Sequence, residues 1–91
     1  MKRRTYKDPR FQRTYESTLD NYHSGARGWI GPMVHGLFNE DGSRFRGAAG
    51  HSAFWNGFDG LTLSRGRLMH TPGSYARACY MAGRDAARGV K

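Results

Sequence analysis

The chain has 91 residues, carries 15 Lys and Arg against 7 Asp and Glu, and has a formal net charge of +8. A chain of this length forms one domain and buries only about 60–65% of its unfolded surface, which excludes a large enzyme with a deep cleft between lobes. Leu, Ile, Val and Phe are scarce enough to suggest disorder, but five Phe, five Tyr and two Trp supply the area for a small aromatic core.

Residues 1–7 read as a flexible basic arm, and residues 8–91 as a single compact domain. Met1-Lys2-Arg3-Arg4 is followed by Tyr6, Lys7, Asp8 and Pro9 rather than by an apolar run, so the arm is not a secretion signal. The first helix is expected over 9–23, with Asp8 as cap, Pro9 in the first helical position and Ser24-Gly25 as stop. Phe11, Tyr15, Thr18, Leu19 and Tyr22 share its core face, while Arg13, Glu16 and Asp20 lie opposite. Residues 14–41 have a net charge of −3, between a stretch of +5 at 2–13 and one of +6 at 42–91.

The middle of the chain is glycine-rich and irregular. Asp41-Gly42 between Leu37-Phe38 and Phe45 suggests a β-hairpin, and Trp29-Ile30 and Met33-Val34 read as short extended pieces or core plugs. A second helix is expected over 52–59, capped by Ser52 and ended by Gly60, with Gly57 allowing a close helix contact. Residues 61–71 form a loop with Arg65 and Arg67 at a basic tip. The third helix is expected over 72–88, with Thr71 as cap, Pro72 in the first helical position and Gly89 as stop. Tyr75, Cys79, Ala82 and Ala86 make its core stripe, and Arg77, Arg84 and Arg88 form a row on the opposite face. The expected fold class is therefore mainly α, with three helices and an irregular middle; one hairpin is admitted, and α+β is the alternative.

The chemistry of catalysis is poorly represented. His23, His35, His51, His70 and Cys79 do not have zinc-finger or HxxxH spacing, Cys79 sits on an apolar stripe as a buried thiol does, and no carboxylate pair is forced together. The one combination of a base with a carboxylate is His51 beside Asp59. No P-loop occurs. The expectation is a non-enzymatic protein without cofactor or metal. One cysteine and no apolar run long enough for a membrane span fit a reducing, cytoplasmic setting without membrane attachment.

Binding remains. Twelve of the fifteen cations are Arg, whose planar fork matches phosphate and stacks on bases. The candidate nucleic-acid contacts are Lys2, Arg3, Arg4, Arg44, Arg46, Arg65, Arg67, Arg77, Arg84 and Arg88, and the candidate stacking rings are Tyr6, Phe45 and Tyr80. The row Arg77, Arg84 and Arg88 is either a ridge that tracks phosphates or a solvated surface.

Tyr80-Met81-Ala82-Gly83, preceded by Ala76 and Cys79 and followed by Arg84-Asp85-Ala86-Ala87-Arg88-Gly89, resembles the A-x-x-x-G-Y-x-A-G-x-x-x-G helix of the ribosome modulation factor family. Cys79 stands where that family usually has glycine. Ala53-x-x-x-Gly57-Phe58-Asp59-Gly60 follows the same beat, with one residue fewer before its last glycine. The resemblance covers residues 53–89 and implies a small helical protein that docks on ribosomal RNA and lowers translation. Similar small basic proteins of bacteriophages inhibit host machinery. Two functions are therefore expected: an RNA- or ribosome-binding regulator of translation or of another RNA-containing machine, or a phage-type inhibitor, such as an anti-CRISPR or other anti-defence factor, that binds a host protein or nucleoprotein. An exposed Trp29 or Trp55 would mark the second.

Overall fold

The computed structural model describes residues 2–61 and 73–91. Its first helix, α1 (Pro9–Ser24), starts where Asp8 accepts the Arg10 N–H at 2.9 Å and Pro9 occupies the first turn. It ends at Gly25, whose φ of +67° is a left-handed conformation that L side chains rarely adopt. Phe11, Tyr15 and Leu19 are buried, Thr18 and Tyr22 are half-buried, and Arg13, Glu16 and Asp20 face solvent, as the helical wheel requires.

The chain then forms a two-stranded antiparallel hairpin, β1 (Trp29–Gly31) and β2 (Val34–His35), which pairs Trp29 with His35 and Gly31 with Val34 across Pro32-Met33. These residues are extended, but they are not core plugs. The turn expected at Asn39–Ser43 does reverse the chain, with Asn39 N–H on the Ser43 carbonyl and Phe45 N–H on the Leu37 carbonyl, yet it carries only an isolated bridge between Phe38 and Arg44.

Helix α2 (Ala49–Phe58) begins three residues before the expected start. Its cap is Ala48, which has no side-chain acceptor, so Ser52 lies within the helix. Packing places it instead: Gly50, Ala53, Phe54, Trp55 and Gly57 are all buried. Helix α3 (Tyr75–Ala87) is capped by the Ser74 hydroxyl, which accepts the Arg77 N–H at 3.1 Å. The cap expected at Thr71, the first-turn position of Pro72 and the loop tip at Arg65 and Arg67 lie outside the described residues.

Helix α3 packs against both α1 and α2 and is the centre of the molecule. Ala76, Ala78, Cys79, Tyr80, Met81, Ala82, Gly83, Asp85 and Ala86 are buried, so a single core stripe is too narrow a description. Tyr75 departs further from expectation: placed first in the core stripe, it is 61% exposed, its ring lying over Gly50. Its neighbours Ala76 and Ala78 are buried, so only the Tyr75 side of this turn faces outward.

The crossing of α2 and α3 rests on reciprocal glycines. A Cβ at Gly57 would fall on the Tyr80 carbonyl oxygen, and a Cβ at Gly83 on the Phe54 carbonyl oxygen. Gly57 thus admits the close helix contact expected of it. Gly83 stands to Phe54 as Gly57 stands to Tyr80. Around this crossing Tyr22, Phe38, Phe54, Trp55 and Phe58 form an aromatic cluster with edge-on and tilted contacts at 4.9–6.2 Å.

Candidate nucleic-acid interface

Residues 2–7 do not stand off from the domain as an arm; they lie along α1 and the end of α3. Arg3 Nη2 donates to Asp20 Oδ1 at 2.6 Å and to the Lys91 carbonyl at 2.7 Å. The Tyr6 N–H donates to Gln12 Oε1 at 2.7 Å, and the Tyr6 ring meets Phe11 and Tyr15 edge-on. Beneath them is a buried carboxylate that the sequence did not mark. Asp85 accepts the Tyr15 O–H at 2.5 Å and lies 3.4 Å from Arg4 Nε, while the Arg4 N–H donates to the Tyr15 oxygen at 3.0 Å. Burial and the hydrogen bond to Asp85 push the Tyr15 phenol up to about 12.

The candidate cations divide by what holds them. Arg44 grips both oxygens of Asp59, at 2.7 and 2.9 Å, with its guanidinium 4.4 Å from the centre of the Trp55 ring. Arg46 reaches the same carboxylate at 3.2 Å and Asn56 Oδ1 at 3.1 Å. Asp59 is thereby committed, and His51 donates from Nε2 to the His35 carbonyl at 2.6 Å, so the two do not form an acid–base pair. Arg3 and Arg4 are engaged as described, and Lys2 is exposed. Arg77, Arg84 and Arg88 differ: among the described residues no carboxylate lies within ion-pairing distance of any of them. Arg77 and Arg84 are half-buried and Arg88 is exposed.

Tyr6 joins the arm to this row. Burial pushes its phenol up, while Arg4, Arg77 and Arg84 pull it down and Asp85 opposes them, so the charges of both segments converge on one ring. Beside Arg84 and Arg88 lies an open depression of about 330 Å³ over Gly57, Phe58, Gly60 and Tyr80.

The three rings expected to stack on bases are committed elsewhere. Tyr80 is buried and its hydroxyl donates to the Leu61 carbonyl. Phe45 is half-buried and stacks on His35 at 3.6 Å, and Tyr6 is wedged between Phe11 and Tyr15. Cys79 is buried beside Thr18, and desolvation raises its thiol pKa, which disfavours the reactive thiolate. No helix among the described residues is long and apolar enough to cross a membrane.

No family model, curated protein or solved structure matches this chain.

Proposed function

We propose that the chain is a non-enzymatic basic protein that binds RNA through the α3 face and thereby modulates translation or another RNA-containing machine. The observation that carries this reading is the division among the arginines. Among the candidate arginines that are described, Arg3, Arg4, Arg44 and Arg46 face carboxylates, whereas Arg77, Arg84 and Arg88, at helical spacing along α3 and its C-cap, have no described carboxylate in ion-pairing distance; Arg10, Arg13 and Arg27 are likewise unneutralised but lie on other segments. A row of unneutralised guanidinium groups attracts phosphate and releases condensed counterions when it binds. Since Tyr80 is buried and the half-buried Tyr6 and Phe45 rings are engaged with other rings, this face contacts the backbone and tolerates sequence changes in the RNA. The resemblance of residues 53–89 to ribosome modulation factors supports RNA as the polyanion.

Replacing Arg77, Arg84 and Arg88 together with Gln is the direct test. Titrations with a single-stranded RNA at several salt concentrations should show weaker binding, and the log–log salt slope should fall by ~0.7 for each lost phosphate contact. Helix content should stay constant, because Gln and Arg have similar propensities. Equal affinity and equal slope for variant and wild type would remove this face from the function.

A second reading, a phage-type inhibitor of a host protein or nucleoprotein, is favoured by one observation: Trp29 is 69% exposed. Trp55, the other candidate anchor, is buried, with Nε1 donating to the Leu37 carbonyl. For this reading, a pull-down from bacterial lysate treated with nuclease should retain one stoichiometric protein and lose it with Trp29→Ala.

A further inference from the structure

The β1–β2 hairpin gives to solvent the side chains that a small core can least spare. Trp29, Ile30, Met33 and Val34 are all exposed, Met33 to 89%. Between this hairpin and α1 runs a groove of about 480 Å³, with Ile30, Met33 and Val34 on one side and the exposed Tyr75 at its end. These four side chains present on the order of 500 Å² of neighbouring surface, toward the upper end of what a monomer exposes in one patch.

We propose that this face is the interface between two copies of the chain, related by a two-fold axis, with Met33 of each copy entering the groove of the other. Three observations select a second copy as the occupant. The face can pair with its own copy, because the protruding Met33 stands beside a groove whose hairpin wall (Ile30, Val34) and Tyr75 are apolar while its α1 wall is uncharged apart from Asp20, and an isologous contact sets such a wall against its own copy. Its size is suitable: the patch with the rim of Ser17, Asn21 and Ser24 approaches the ~800 Å² that each partner contributes to a stable interface. Its charge is also suitable. Among the described residues no Lys or Arg lines the groove, and the one carboxylate among them, Asp20, is already paired with Arg3. Two copies with a net charge of +8 repel each other less through this neutral face than through their arginine faces. An acidic partner would be steered to those arginine faces instead.

The test is sedimentation equilibrium of nuclease-treated protein from micromolar to millimolar concentration, at low and high salt. The mass should rise from one chain to two with concentration. High salt should strengthen the association by screening the mutual repulsion, the opposite of its effect on RNA binding, so failure of the dimer and failure of the RNA reading are separate results. Met33→Asp and Ile30→Asp, both at exposed positions, should weaken dimerisation tenfold or more with an unchanged circular dichroism spectrum. Should either variant lose its helical signal, Met33→Gln, which keeps the length of the side chain, takes its place with the same expected direction. A wild-type mass of one chain throughout, a dimer indifferent to these substitutions, or capture of a foreign protein by a chain that stays monomeric would each overturn the proposal.

Discussion

At the scale of single residues, the arrangement around Asp85 decides most. A carboxylate taken out of water costs several kcal/mol unless donors replace the lost hydration, and Asp85 receives the Tyr15 O–H with Arg4 nearby. Tyr15→Phe removes the donor and leaves the acceptor buried, so it should destabilise by ~1–3 kcal/mol in urea unfolding. Tyr15→Ala adds a cavity and should cost ~3–5 kcal/mol. Tyr75→Ala, at an exposed ring, should cost less than about 1 kcal/mol, despite the place of Tyr75 in the expected core stripe. The same phenol contributes to the loss of stability at alkaline pH. The folded chain keeps the Tyr15 proton up to about pH 12, whereas the unfolded chain releases it near its ordinary value of 10.0. The stabilisation is therefore complete below pH 10 and is lost as pH rises from 10 to 12. Tyr6, also raised mainly by burial, acts in the same direction. Melting temperatures measured across this window should fall less steeply in Tyr15→Phe than in wild type.

At the scale of elements, the glycine crossing of α2 and α3 holds the centre together. The atoms that a new methyl group would meet are main-chain carbonyl oxygens, which do not turn aside as a side chain does. Gly57→Ala and Gly83→Ala should each destabilise by ~3 kcal/mol or more in denaturant midpoint measurements, above the gain in helix propensity. Combined, they should cost less than the two losses added, because either alone pushes the same pair of helices apart.

Elements with a local signal were legible in the sequence. Asp8, Pro9 and Gly25 mark the ends of α1 by chemistry within a few residues, and the structure agrees at both ends. The start of α2 has no such mark, since Ala48 offers no acceptor and the helix is placed by burial of Gly50 and Ala53. A helical wheel assumes one apolar face, and α3 has small residues on nearly every side, so two helices pack on it and the wheel cannot say which residue projects beyond them. Nor does residue type separate the two Trp: Trp55 is inside because its helix carries Phe54 and Phe58 into the same cluster, while Trp29 sits on a hairpin where the His35 ring meets it edge-on and leaves most of it exposed. The candidate site was legible as a set of cations and not as a face. Which arginines are neutralised depends on Asp20, Asp59 and Asp85 reaching them across the fold, contacts that sequence spacing does not encode.

At the scale of the whole molecule, charge and stability are coupled. A net charge of +8 on so short a chain opposes the compact state, and the surface ion pairs of Arg3, Arg44 and Arg46 each return ~1 kcal/mol or less. A polyanion that binds only the folded α3 face relieves the repulsion and adds its own binding free energy. At a free RNA concentration one hundred times its dissociation constant, linkage stabilises the folded state by ~2.7 kcal/mol. For a domain of this size each kcal/mol moves the melting temperature by ~4–8 °C, so short single-stranded RNA should raise it by on the order of 10 °C at low salt. The shift should shrink as salt rises, should be largely independent of RNA sequence, and should mostly vanish when Arg77, Arg84 and Arg88 are Gln. Unfolded chain also attracts RNA through the same fifteen cations, which subtracts from the shift but not from its dependence on these three positions. A shift of equal size in wild type and triple variant would place the polyanion elsewhere on the surface, with the exposed Lys2 and the other unpaired cations as the remaining contacts.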